Sequence, residues 1–119
     1  MTLPEGWHNV TPRLVVDDVA GLAEFLRRVF GASGEIRADR PTVMRIGDSV
    51  LMASAAGPRQ AMPAFLYVYV GDADAIWRRA VDAGATSLEA PGDMPYGDRR
   101  AMVRDPWGNV WQIATFRKA

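Results

Sequence analysis

Two stretches of the chain carry an apolar period near 3.6, and each follows a short run of β-branched and apolar residues. Thr11 to Val16 (TPRLVV) reads as a strand, and Asp17 and Asp18 then offer side-chain oxygens for a helix N-cap. Leu22, Phe25, Leu26 and Val29 recur at i, i+3, i+4 and i+7 opposite Glu24, Arg27 and Arg28, and Gly31 supplies the residue that ends such a helix. Three strands are expected next, at about Gly34 to Ala38, Thr42 to Ile46 and Ser49 to Ser54, with Gly47-Asp48 as the hairpin turn. Ala55 to Pro63 (AAGPRQAMP) reads as a connection. The same order then recurs. Ala64 to Val70 is an apolar strand, Gly71 and Asp72 lead into a helix striped by Ala73, Ile76, Trp77 and Ala80, and Gly84 closes it. A short strand near Thr86 to Leu88, an irregular stretch from Ala90 to Asp98, and strands at Arg100 to Arg104 and Asn109 to Thr115 complete the set.

The halves also share local wording, VVDD then FLRRVFGA against VGDAD then IWRRAVDAGA. Neither half buries its apolar face alone, so the pattern predicts an α+β fold of two paired βαβββ modules, about 8–56 and 63–117, in one domain spanning 1–119. Helices are expected outside a curved mixed sheet whose concave face forms a cup. At 119 residues and 49% hydrophobic content there is apolar material for one core and no room for a second domain.

Charge narrows the partners. Fourteen basic residues balance fourteen acidic ones along the chain, so no basic stripe exists to neutralise phosphates, and nucleic acid is not an expected partner. Apolar runs are too short for a membrane span or a leader, which makes a cytoplasmic location the default expectation. With no cysteine and a single histidine, His8, any chemistry falls to carboxylates, hydroxyls and arginines. No serine-histidine-acid set, phosphate-cradling glycine loop or dinucleotide fingerprint is present.

Three segments, LVVDD, RIGDSVLM and VRDPWGNVWQIAT, resemble the vicinal-oxygen-chelate superfamily of glyoxalases, bleomycin-resistance proteins and dioxygenases. The TPRLVV opening and the YGDRRAMVRDPWGNVW close are most similar to its PhnB-like and glyoxalase/bleomycin-resistance branch. The resemblance implies paired βαβββ modules, a homodimer, and a cup holding either a divalent metal or an organic ligand. Metal-using members place His, Glu or Gln on four strands. The corresponding positions here are Thr11, Met52, Phe65 and Gln112, of which only Gln112 offers a normal donor, while His8 lies at least three residues before the first. Neither a metal nor another cofactor is therefore expected.

Side chains alternate along a strand, so the face of those four positions can be read at steps of two. Thr11, Arg13 and Val15 share it, as do Val50, Met52 and Ser54, then Phe65, Tyr67 and Tyr69, then Val110, Gln112 and Ala114. Leu14, Leu51, Trp111 and Ile113 are left for the core beneath the helices, with Trp77. An aromatic wall suits a flat organic guest, with tyrosine hydroxyls to orient it and Arg13 to meet a carboxylate or stack on a ring. The same aromatics would equally fill a collapsed barrel or a dimer contact, although an arginine among them argues for an open face. Tyr96, Asp98 and Trp107 are candidate lid residues. Arg99, Arg100 and Arg104 with Asp98 and Asp105 read as a solvated ion-pair network. These residues fit a metal-free protein that binds a small molecule such as an antibiotic. The alternative is a metal-independent isomerase or lyase in which Arg13 and a tyrosine polarise a carbonyl while an acid near Asp98 moves a proton. A third reading is an interaction module with a vestigial pocket.

Overall fold

A computed structural model describes residues 1–117; Lys118 and Ala119, the end of the expected domain, lie outside the described residues. The chain divides after Met62 into two compact units. In the first, β1 (Arg13–Val16) leads to α1 (Val19–Phe30), β2 (Thr42–Ile46) and β3 (Ser49–Ala55), with the sheet ordered β1-β3-β2. Parallel pairing of β1 with β3, Arg13 opposite Met52, requires a crossover, and α1 lies within it. The Asp18 carboxylate accepts from the Gly21 N–H at 2.9 Å, and Gly31 ends the helix in the left-handed conformation at φ 66°. The stripe of Leu22, Phe25, Leu26 and Val29 is buried, as are Leu14, Val16, Met44, Leu51 and Ala53 of the strands.

The strand expected at Gly34 to Ala38 does not form. Only Ser33 bridges to Arg45, through a pair of backbone hydrogen bonds of 3.0 and 2.8 Å. The next residue, Gly34, has φ 143°, and a Cβ there would meet the Val43 carbonyl oxygen at 2.3 Å. The chain crosses β2 too closely at this point to run on beside it, and its Gly34 carbonyl accepts instead from Arg27 at 2.8 Å.

The second unit contains β4 (Phe65–Tyr69), α2 (Ala73–Asp82), β5 (Thr86–Asp93), β6 (Arg99–Arg104) and β7 (Val110–Thr115), ordered β4-β7-β6-β5. Asp72 caps α2 through the Ala75 N–H at 3.1 Å, and α2 packs on β5, β6 and β7 over Ala101, Val103, Trp111 and Ile113, all fully buried. Trp77, expected in the core, is half-buried, with its indole N–H on the Ser87 hydroxyl at 3.0 Å. Strand β5 extends through Ala90, Pro91 and Gly92, which the sequence assigned to a loop. It is an edge strand with register shifts between Ser87 and Glu89 and between Glu89 and Gly92, and such irregular edges tolerate proline. The irregular stretch thus shrinks to a turn closed by Met94 N–H to the Asp98 carbonyl at 2.8 Å. Helices and two mixed sheets, one of three strands and one of four, make this an α+β fold.

Candidate ligand-binding face

Alternation along β4 leaves Phe65, Tyr67 and Tyr69 exposed at 68%, 38% and 59%. In the parallel register they stand opposite Val110, Gln112 and Ala114 of β7, and β6 continues the face with Arg104, Met102 and Arg100 opposite the same three. Glu89 of β5 pairs with Met102. Two of these three side chains are tied at their hydroxyls. Asp98, only 3% exposed, accepts from the Tyr67 hydroxyl at 2.6 Å and from the Tyr69 hydroxyl at 2.9 Å, both on Oδ2. The Tyr96 hydroxyl lies 3.2 Å from that of Tyr67 and accepts from Arg100 Nη1 at 3.1 Å, while Arg100 Nη2 donates to Glu89 at 3.0 Å. The Tyr67 and Tyr69 rings meet edge to face at 5.3 Å, and Phe116 closes on Tyr69 at 6.4 Å.

This arrangement sets the protonation of the face. Burial, and next the hydrogen bond to Asp98, raise the Tyr67 hydroxyl well above the usual tyrosine range. For Tyr69 the bond to Asp98 comes first and desolvation second, again upward. Arg100 is raised chiefly by its bond to Glu89. Both tyrosines therefore stay neutral, keep their protons and donate them in hydrogen bonds to the carboxylate.

The expected charge network around Asp98 and Asp105 is corrected in the same region. Asp98 is buried rather than solvated, with its carboxylate on the Tyr67 and Tyr69 hydroxyls. Asp105 is also buried, held by the backbone N–H groups of Trp107 and Asn109 and the side chains of Asn109 and Trp111, each at 2.9 Å. Arg99 pairs instead with Asp74, at 2.6 and 2.9 Å, and with Asp93 at 3.1 Å; its bond to Asp74 leads the rise of its pKa. Arg104 is exposed, Tyr96 is 60% exposed at the edge of the aromatic group, and Trp107 is half-buried in the turn between β6 and β7.

In the first unit Arg13 is exposed and anchored by its Nε to the Ser54 hydroxyl at 2.9 Å, whereas Thr11, just before β1, and Met52 are half-buried. Arg13 and Ser54 line a cleft of about 410 Å³ with Ile36, Arg37, Arg40 and Pro41. Asp39 beside it is held by Arg40 at 3.1 Å, which lowers its pKa. The Phe65, Tyr67 and Tyr69 row is legible in the alternation of β4, whereas its tie to Asp98 and the contacts of Arg100, Glu89 and Phe116 arise between segments and leave no signal in any one of them. Among the described residues no three His, Cys, Asp or Glu side chains stand together in a way that could hold a metal. Thr11 and Met52 in the first unit and Phe65 and Gln112 in the second supply a hydroxyl, a thioether, a phenyl ring and one amide, a donor set that does not fit a divalent cation.

Two units, each with a parallel strand pair joined through a helix and with antiparallel neighbours, define a class of protein shared with many solved structures. The chain belongs to the Glyoxalase/Bleomycin resistance protein/Dioxygenase superfamily, whose family model matches residues 8–113. It is 30% identical to the uncharacterized protein Mb0911c of Mycobacterium bovis over 87% of this chain and 80% of that one. Among solved structures, TioX from Micromonospora sp. ML1 superposes with a TM-score of 0.76 at 23% identity, covering 91% of this chain and 98% of the other. A glyoxalase/bleomycin resistance protein/dioxygenase family enzyme from Burkholderia phytofirmans PsJN gives 0.74 at 22% identity, covering 87% and 94%. These two show the shared fold. No helix among the described residues is long and apolar enough to cross a membrane.

Proposed function

We propose that this chain is a metal-free small-molecule-binding protein of the bleomycin-resistance type, with a flat organic ligand stacked on the aromatic face of the second unit. One observation carries the reading: a carboxylate buried at Asp98 fixes two exposed tyrosine rings. Burying a charge costs several kcal/mol, about 3 or more, unless its hydrogen bonds repay it, and packing alone would be served better by apolar residues. Rings held in place before a ligand arrives lose little entropy on binding, which is the use such a device has. The superfamily description includes bleomycin-resistance proteins, and the YGDRRAMVRDPWGNVW segment supports the PhnB-like branch. Family likeness also supports a homodimer working in the cytoplasm, with antibiotic sequestration as its role. Binding is favoured over the isomerase or lyase alternative because Asp98 is covered by the two hydroxyls that would have to relay its proton.

The test is quenching of tyrosine and tryptophan emission by aromatic antibiotics and acyl metabolites. Saturable quenching is expected, insensitive to chelators and weakened about tenfold or more in Tyr67→Ala, as loss of a stacked ring implies. Arg13→Ala reports separately on the first unit. Unchanged affinity in Tyr67→Ala overturns the assignment.

A further inference from the structure

We propose that the aromatic face selects organic cations, namely flat aromatic molecules carrying a protonated amine or a quaternary nitrogen. This rests on the reading of the face as a binding site and adds the charge of what it binds.

A carboxylate oxygen only accepts, so the hydroxyl protons of Tyr67 and Tyr69 must both point at Asp98 Oδ2, 2.6 and 2.9 Å away. Arg100 Nη1 occupies a lone pair of Tyr96, which leaves the Tyr96 proton for the oxygen of Tyr67 at 3.2 Å. Each proton in the chain from Arg100 through Tyr96 and Tyr67 thus runs inward to Asp98. The raised Tyr67 and Tyr69 hydroxyls agree with this direction. A ligand on this face meets ring faces and oxygen lone pairs, no free hydroxyl donor, and one neutral amide, Gln112, opposite Tyr67.

Charge points the same way. Three ionised groups stand at this end of the face: Asp98, Glu89 and Arg100. Arg100 is matched by Glu89 at 3.0 Å, while Asp98 has no cationic partner among the described residues, so the excess is negative. The other nearby cations are engaged or distant. Arg99 is held by Asp74 and Asp93, Arg117 by Asp93 at 2.9 Å, and Arg104 lies opposite Val110, at the Phe65 end. A phenol donating to a carboxylate gains phenolate character, which enriches its ring and strengthens its attraction for a cation over the face. A carboxylate ligand would face Asp98 and find Arg100 Nη1 on Tyr96 and Nη2 on Glu89, with the unpaired Nε buried out of its reach.

Three probes of one shape test this at neutral pH and low salt: 1-naphthylmethylammonium, 1-naphthylmethanol and 1-naphthoate. Binding is followed by naphthalene anisotropy. The ammonium is expected to bind about fivefold tighter than the alcohol, the scale of a ring-cation attraction at a half-exposed site, with the naphthoate weakest. Asp98→Asn should bring the ammonium and alcohol together. Should that variant fail to fold, Tyr69→Phe keeps the ring, cuts one bond to Asp98, and should narrow the ratio of ammonium to alcohol affinity. If the wild type binds alcohol or naphthoate as tightly as ammonium, and Tyr67→Ala loses them, cation selection is overturned and the aromatic binding face stands. If no probe binds, both are overturned. If sedimentation shows a dimer that Tyr69→Ala dissolves, and probes bind only that variant, a second copy covers the face and the cation proposal falls.

Discussion

Replacing Asp105 with alanine should cost more than any surface change in the second unit. Its carboxylate receives four donors at 2.9 Å: the Trp107 and Asn109 N–H groups on Oδ1, and the Asn109 amide and Trp111 indole on Oδ2. Asn109 and Trp111 are fully buried, so three of those donors have no route to water once the carboxylate is gone. A stranded buried donor costs about 1–3 kcal/mol, and removal of a desolvated charge gives part of that back, so the net loss expected is about 3–5 kcal/mol. Against a total stability of about 5–15 kcal/mol this is a large fraction, and for a chain of this size it lowers the melting midpoint by roughly 10–20 °C. Asn109 Oδ1 also accepts from the Ala64 N–H at 3.0 Å, so the same turn ties β4, with its aromatic row, to β7. Asp105→Asn retains one acceptor and should lose about half as much. Urea denaturation followed by tryptophan emission and circular dichroism measures both. A loss below about 1 kcal/mol for Asp105→Ala with unchanged m would refute the reasoning.

The tyrosine hydroxyls give a pH prediction. Unfolded tyrosines ionise near pH 10, whereas Tyr67 and Tyr69 are raised in the fold, so their contribution to stability is fully present below about pH 10 and lost as pH rises through their folded values. Ultraviolet phenolate absorbance of the folded chain should lag that of the unfolded chain, and Asp98→Asn should lower both tyrosines, removing the leading cause of the Tyr69 rise and the second cause of the Tyr67 rise; superimposable titrations would contradict this. Gly34→Ala should cost about 3 kcal/mol or more, since its Cβ would stand 2.3 Å from the Val43 carbonyl, while Gly47→Ala, at φ 57° with nothing within 4 Å, should cost only about 1–2 kcal/mol; equal losses in urea melts would count against the close approach. Asp18→Ala and Asp72→Ala each remove one cap bond, at 2.9 and 3.1 Å, and should each lower stability by about 1 kcal/mol, additively in the double variant because they serve different helices.

What the sequence makes legible is whatever a single segment decides for itself. Leu22, Phe25, Leu26 and Val29 announce α1 because a helix satisfies its own backbone, and the exposed alternation of Phe65, Tyr67 and Tyr69 follows from the strand alone. Where a second segment decides, the reading fails. Gly34 to Ala38 looks extended, yet the close pass of Gly34 over β2 denies it a partner beyond Ser33. Pro91 and Gly92 look like a loop, yet the irregular edge of a sheet accepts them.

Asp98 is the functional case of the same rule. It lies 31 residues from Tyr67 and 29 from Tyr69, and its bonds to them depend on β4 and β6 flanking β7 with a small residue between. Ala114 is that residue: it stands opposite Tyr69 on one side and Arg100 on the other and is fully buried. A larger side chain there would stand between the Tyr69 and Arg100 positions, on the face where Asp98 meets the hydroxyls. Ala114→Leu should therefore cost about 1–3 kcal/mol by overpacking and, as a separate effect, bring the Tyr69 ionisation back toward that of the unfolded chain. If the variant loses stability while Tyr69 titrates as in the wild type, the gap at Ala114 is ordinary packing and some other feature of the second unit sets the tyrosines on Asp98.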